Sequence, residues 1–422
     1  NSFNSALSIF YSPLYNSFFK ITIINDNIFY SLFHNMNLEL EKYRQKLSFA
    51  NKYLLKGKFA KFAAAVVVPS YAEGKYLIET VESLIRNTGT FLDRTAIIFI
   101  VNHPRDLQKS ILPDNKESIS YLKKLQNRFK NFFLVSDKDG MEDLTLDNGV
   151  GEARKIGMDL ALEIVEEKDS FIASLDADTL VNKNYLTVLF NFFEKKNADA
   201  AVIAFSHRND ENTPEIIDAI KLYERYLKNY VNGLKDAGSP YAFHSIGSAM
   251  AFTARAYIRA GGMKIRKGGE DFYFLQSLVK TGKVGEINEV LVYPSNRLSE
   301  RVPFGTGPAL KKILSGNRKI FHNPLVFKEL KMVLSSAMEF CENRNKDISA
   351  FLNPLDEIAR EFFLENNFQK IWEKIVSNTP DSKEKRYKAF NLWFDAFKTL
   401  KFIHFCERRE PQKFVRIENE LK

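Results

Sequence analysis

The stretch FIASLDADTL, residues 171–180, is apolar up to Leu175 and then presents Asp176 and Asp178 one residue apart. An apolar run that stops at polar turn residues reads as a strand buried on both faces. The same texture recurs on either side: FAAAVVVPSY (62–71), TAIIFIVNHP (95–104) and NFFLVSD (131–137) precede it, and DAAVIAFSH (199–207) follows. Between these runs lie LIETVESLIRN (77–87), YLKKLQNRF (121–129), GEARKIGMDLALEIVEE (151–167) and YLTVLFNFFEKK (185–196), which read as helices. Strands alternating with helices predict an α/β domain with a mixed, mostly parallel sheet. Ligands of such sheets gather at the carboxyl ends of the strands. The polar groups of this chain fall there, in PSYAEG (69–74), NHPRD (102–106), SDKDG (136–140) and DADT (176–179).

After Pro214 the pattern changes. IIDAIKLYERYLKNYVNGL (216–234) is a long helix, and HSIGSAMAFTARAYIRAGGM (244–263) is a strand followed by a short helix. GGEDFYFLQSLVKTGKV (268–284) is a glycine turn feeding a helix, EINEVLVYPS (286–295) a further strand, and NRLSERVPFGTGPAL (296–310) a polar loop. From about Pro308 the chain is helical by pattern, with breaks at Asn353-Pro354 and Thr379-Pro380. The expected organisation is an α/β domain over 36–307, opened by the amphipathic LELEKYRQKLSFANKYLL (38–55), and a helical C-terminal appendage over 308–422. Residues 1–35 are rich in Asn, Ser, Phe, Ile and Tyr, and the first methionine is Met36. They are expected to lie upstream of the true start; the competing reading is a membrane-seeking aromatic segment. No signal-peptide pattern is visible there, and no apolar run is long enough for a spanning helix.

A chain of 422 residues buries a sizeable core. Phe is abundant, at 37 residues, and Trp scarce, at 2. Sixty-one basic against 52 acidic residues give +9, which suits a phosphate-bearing partner or an anionic membrane surface. No Lys/Arg run is dense enough for a nucleic-acid arm, so no nucleic-acid partner is expected. Cys341 and Cys406 show neither metal-ligand spacing nor a disulfide framework, which fits a reducing, cytoplasmic setting.

Two carboxylates at a buried strand end repel each other, and a divalent cation relieves that repulsion. Mg²⁺ typically uses one or two carboxylates together with phosphate oxygens of the substrate. On an extended strand side chains two apart point the same way, so Asp176 and Asp178 are expected to face one site. The alternative is an Asp that caps the helix after DTLVNKNY, and Asp137 and Asp139 repeat the spacing. GGED (268–271) places Glu270 and Asp271 at a helix N-terminus, where the helix dipole favours an ionised carboxylate that accepts a proton; plain N-capping is the bland reading. GVGEARKIG (149–157) brings Arg154 and Lys155 to the start of a helix, and NRLSERVPFGTG (296–307) brings Arg297 and Arg301 with flexible glycines. Both suit an anion, and both also suit a solvated surface. His244 and His322 are candidate metal ligands, with a structural role as the alternative for each.

In this order the pieces resemble the family 2 glycosyltransferases of the GT-A fold. VVVPSYAEGKYLIETVESL looks like their opening strand, loop and helix, GEARKIGMDLAL like their Ala-Arg-Asn-x-Gly helix with Lys155 in place of Asn, FIASLDADT like their D-x-D strand, and GGEDFYFL like their Glu-Asp motif. The resemblance covers about 63–305. It implies a GT-A, Rossmann-like domain that binds a nucleotide-sugar donor. Pro69, Ser70, Tyr71 and Glu73 would line the nucleoside pocket, with Asn102 where many members have an Asp that meets the base. Arg154, Lys155 and Ala177 would lie near the nucleotide, and Arg297 and Arg301 over the diphosphate. Asp176 and Asp178 would hold Mn²⁺ or Mg²⁺; Asp271 would be the base, with Glu270 beside it.

The implied reaction is transfer to a hydroxyl of a glycan, lipid-linked or small-molecule acceptor with inversion, in the cytoplasm or at the inner face of the membrane, in cell-envelope glycan synthesis. Three other readings stand beside it: a retaining transferase, a sugar nucleotidyltransferase, and a non-catalytic carbohydrate- or nucleotide-binding protein on the same fold. PSYAEG lacks the Gly-rich, Arg-bearing phosphate loop that the second requires.

Overall fold

The computed structural model describes residues 39–45, 60–87, 89–105, 112–135, 143–195, 197–210, 213–266, 268–299, 305–317 and 320–417. The N-terminal extension, most of the predicted opening helix, Asp137, Asp139 and Arg301 lie outside them. The chain divides into two compact units, Asn1–Lys46 and Leu47–Lys422. In the first, residues 39–45 form a helix, α1.

The second unit is built on a sheet of β1 (Ala64–Ser70), β2 (Thr95–His103), β3 (Phe132–Val135), β4 (Leu144–Thr145), β5 (Phe171–Ser174), β6 (Thr179–Val181), β7 (Ala200–Phe205), β8 (Met250–Thr253) and β9 (Val284–Pro294). The strand order is β3-β2-β1-β5-β8-β7-β9-β6, with β4 beside β2. β1 runs parallel to both neighbours, Val67 pairing with Ile98 on one side and Ser174 on the other. β8 is antiparallel to β5 and β7, and β6 antiparallel to β9, so the sheet is mixed and mostly parallel, as the alternation of strands and helices predicts. β1 is buried along its whole length, which is why it reads as an uninterrupted apolar run.

Alternation sorts the side chains of the strands onto two faces. Val66, Val68, Ile97 and Phe99 pack with the apolar stripes of α2 (Lys75–Ile85), α3 (Leu112–Arg128) and α5 (Tyr185–Glu194). The other face receives α4 (Gly149–Ile164). α4 docks closely because of Gly157: a Cβ there would fall on methyl groups of Val67 and Ile100.

The remaining helices are α6 (Pro214–Asp236), α7 (Ala254–Arg259), α8 (Glu270–Thr281), α9 (Thr306–Leu314), α10 (Pro324–Phe340), α11 (Ser349–Leu352), α12 (Glu357–Glu365), α13 (Phe368–Asn378), α14 (Lys383–Trp393) and α15 (Ala396–Arg409). The expected boundary at 307/308 falls inside α9, whose Leu310 and Ile313 pack on Ala219, Ile220 and Tyr223 of α6. Leu234 and Ala237, at the end of α6, join the core of the C-terminal helices. That core accounts for much of the phenylalanine. Phe351, Phe363, Phe368, Phe390 and Phe394 form one aromatic cluster, with Phe351 and Phe363 edge-to-face at 4.8 Å. The helical region thus shares its hydrophobic core with the long helix of the α/β domain. Among the described residues no helix is long and apolar enough to cross a membrane.

Candidate functional site

The carboxyl ends of β1, β5 and β9 and the start of α8 bring five carboxylates together: Glu73, Asp176, Asp178, Glu270 and Asp271. Two guanidiniums pair with Glu73, Asp176, Asp178 and Glu270. Arg154, on α4 and 4% exposed, pairs with Asp176 and Glu270. Arg297, just past β9, pairs with Glu73 and places Nη2 2.7 Å from Asp178 Oδ2. Room for Arg154 is made by Gly247, where a Cβ would fall on the guanidinium. Burial works against the charge of Arg154, but Asp176, Glu270 and Asp271 outweigh it and raise its pKa further.

Asp176 and Asp178 do not continue β5, which ends at Ser174. The Thr179 amide donates to the Asp176 carbonyl (3.1 Å) and Thr80 Oγ1 to the Ala177 carbonyl (2.9 Å), so the acids ride on a tight turn. This turn carries the chain from the middle of the sheet to the edge strand β6. The strand-alternation argument therefore does not apply, and the carboxylates diverge, one to Arg154 and the other to Arg297. They remain close enough to interact. Burial raises the Asp176 pKa, Arg154 pulls it back, and the charge of Asp178 adds to the rise. The capping alternative is not what forms: Asn184, not an Asp, stands at the start of α5.

Gly269, at φ 70°, makes the left-handed turn that starts α8, and Glu270 and Asp271 form its first turn as the sequence predicts. Asp271 Oδ1 accepts from the Phe272 amide (2.7 Å). The expectation of a readily ionised base is corrected. Burial, then the charge of Glu270, push Asp271 up to about 7, against the pull of Arg154 and the hydrogen bond from Phe272.

Lys155 is not in this cluster. It pairs within α4 with the buried Asp159 (3.0 Å), to which Tyr257 of α7 also donates (2.8 Å), so Asp159 links the two helices. Neither histidine reaches the acidic pair. His322 Nδ1 lies 2.6 Å from Glu407 among the C-terminal helices. His244 packs edge-to-face on Phe205, and its pKa is lowered by burial and by Lys235. Of the residues expected to line a nucleoside pocket, Pro69, Ser70, Glu73 and Asn102 are buried and Tyr71 is half-buried.

Sequence reasoning missed Asn115, whose side chain accepts from the Ala72 amide and donates to the Asn102 carbonyl, both at 3.0 Å. It thereby fixes the loop after β1, where Ala72 has φ 53°. Also missed was SHRND (206–210), although it follows β7 at the carboxyl end of a strand. Arg208 pairs with Glu79 and Asp210, and Tyr76 lies between Arg208 and Arg297, 5.8 and 4.5 Å from its ring. His207 bridges Glu224 (3.0 Å) and Thr306 (3.1 Å) and ties α6 to the start of α9.

Among the described residues no group of three or more His, Cys, Asp or Glu is arranged to hold a metal ion. The oxygen donors of Asp176 and Asp178 nevertheless fit a hard divalent cation that completes its shell with phosphate oxygens. Asp178 suits this best, since its partner Arg297 sits on a loop residue rather than inside a packed helix.

Residues 65–253 match the family model described as Glycosyl transferase family 2. No curated protein matches the sequence. Among solved structures, S. aureus TarS 1–349 in complex with UDP-GlcNAc is 14% identical, with 86% of this chain and 98% of that chain covered, at a TM-score of 0.43. A crystal structure of S. aureus TarS is 14% identical over 76% of this chain and 55% of that chain, at a TM-score of 0.39.

Proposed function

We propose that this chain, a glycosyltransferase with a family 2 domain over residues 65–253, is a metal-dependent enzyme that inverts the sugar it transfers. The observation that carries this reading is the pairing of two acidic motifs through one buried arginine. Arg154 joins Asp176, of the D-x-D turn, to Glu270, beside Asp271. The donor end and the acceptor end of a transfer reaction are thereby held in one rigid arrangement.

Asp176 and Asp178 would hold Mn²⁺ or Mg²⁺ against the diphosphate of a nucleotide-sugar donor. When bound, that ion neutralises charge on the departing nucleoside diphosphate. Glu73 and Tyr71 border the nucleoside, and Arg154 fixes Asp176. Asp271 takes the proton of the acceptor hydroxyl as that oxygen attacks the anomeric carbon from the face opposite the diphosphate. One displacement of this kind inverts the centre. Glu270, held by Arg154, keeps Asp271 basic by its charge and positions the sugar. The net charge of +9 favours an anionic acceptor or peripheral contact with an anionic membrane face, where a lipid-linked acceptor would be met.

The configuration of the product, read by NMR at the anomeric proton, tests the single displacement; retention would rule it out. The same assay run against pH reports the base. Only ionised Asp271 accepts a proton, and its pKa lies near 7. Turnover at limiting substrate should therefore climb between about pH 6 and 8, rather than level off above pH 5 as an ordinary carboxylate predicts.

A further inference from the structure

We infer that Arg297 is an exchangeable counter-ion, which occupies the cation position on Asp178 until a metal–diphosphate replaces it. The inference rests on the proposed metal role of Asp178. The guanidinium bridges Glu73 and Asp178 and lies 4.5 Å over the Tyr76 ring. Its partners come from the loop after β1 and the turn after β5, whereas Arg154 sits in the middle of α4 and is packed against Gly247. The two arginines thus differ in freedom. Arg154 is a fixed part of the fold, and Arg297 is attached to the loop that follows β9. Like that of Arg154, its Nε is buried and has no acceptor among the described residues, so the difference between the two rests on their positions in the fold, and the Arg297 fork is only partly satisfied where it stands.

Among the described residues, five carboxylates of the cluster face two guanidiniums, an excess that attracts a dication, and competition for one oxygen of Asp178 then drives the exchange. A dication on Asp178 and a guanidinium on the same oxygen repel each other, so one must leave. The diphosphate that arrives with the ion is the better partner for a planar fork of N–H donors. The Tyr76 face supports the guanidinium in either position. Metal and nucleotide should therefore bind together, each weakly alone: the ion must displace Arg297, and the diphosphate supplies the place to which Arg297 goes.

The test is Mn²⁺ binding, read from the loss of the free-ion EPR signal, for wild type, Arg297→Gln and Arg297→Lys, each with and without UDP or GDP. A charge-assisted hydrogen bond contributes about 1.5–3 kcal/mol, so its removal should tighten Mn²⁺ binding without nucleotide by roughly 10- to 100-fold. The same Arg297→Gln change should weaken Mn²⁺-dependent binding of the nucleotide by about tenfold or more. Arg297→Lys keeps a cation on Asp178 and should leave Mn²⁺ alone weakly bound. A purely structural role for Arg297 would weaken both and leave no opposite signs. Equal Mn²⁺ affinity in wild type and Arg297→Gln, with nucleotide binding still metal-dependent, overturns the exchange and leaves the metal reading standing. No Mn²⁺ binding by any variant, with either nucleotide, overturns the metal reading and the exchange with it.

Discussion

Asp271→Asn should lower the turnover number by about 10²–10⁴-fold, the contribution usual for a positioned general base, while donor affinity stays within about twofold of wild type. The amide is nearly the same size and still accepts from the Phe272 amide, so the start of α8 should keep its shape. The direction of the pKa shift separates a lost base from a lost fold. Asp271 binds its proton more tightly folded than unfolded, because burial and Glu270 oppose its ionisation. Its favourable share of stability is therefore present below the unfolded value of 3.8 and is lost as pH rises through about 7. Asparagine never ionises. The variant should accordingly be at least as stable as wild type at pH 8, by urea denaturation, while almost inactive. A variant that turns over normally would remove Asp271 as the base, and one that is inactive only because it unfolds would leave the high-pH stability lower, not higher.

Arg154→Met should have the largest effect on the fold. Arg154 lies between Asp176 and Glu270, with side-chain exposures of 5% for the arginine and 3% for Glu270. Removing one member of a buried ion pair leaves the other charge without compensation, at a cost of about 3–5 kcal/mol. The loss should be greatest above neutral pH and shrink on acidification, as the orphaned carboxylates take up protons. Urea denaturation at two pH values reads this directly. Arg154→Met combined with Glu270→Gln should recover part of the stability, because the more deeply buried of its two partners is then neutral and only Asp176 is left unpaired. A single variant as stable as wild type would show that Arg154 is not the strut between the two acidic motifs. Lysine is not a substitute, since one ammonium cannot reproduce a fork that reaches two carboxylates.

The sequence made β1, β2, β3, β5 and β7 legible because each is an apolar run buried along nearly its whole length, whereas the short β4 and β6 carry no such run. It made the acids legible because Asp176, Asp178, Glu270 and Asp271 stand beside turns at element ends. What it did not carry are relations between distant segments. The pairing of Arg154 with Glu270 spans 116 positions, and no local spacing signals it. Lys155 has the same local setting as Arg154 but is turned toward Asp159, and one helical step decides between a strut in the site and an ion pair within α4. The divergence of Asp176 and Asp178 depends on β6 pairing with β9 at the sheet edge, which only the completed sheet fixes. Asn115 and Thr306 sit in unremarkable surroundings in the sequence, and His207, although at a strand end, shares with them partners that only folding brings near. The high pKa of Asp271 has the same origin: the helix start was readable, the burial and the neighbouring charge were not.

The measurement that bears most directly on a metal-dependent transferase is thermal stabilisation by a panel of nucleotide sugars, with Mn²⁺ and with a chelator, for wild type and Asp178→Ala. A donor at a hundred times its dissociation constant stabilises by about 2.7 kcal/mol. The expected result is a shift of the melting temperature for at least one nucleotide sugar in wild type with Mn²⁺, absent with chelator and absent in Asp178→Ala. A shift of equal size in Asp178→Ala, or one indifferent to the chelator, would contradict the account.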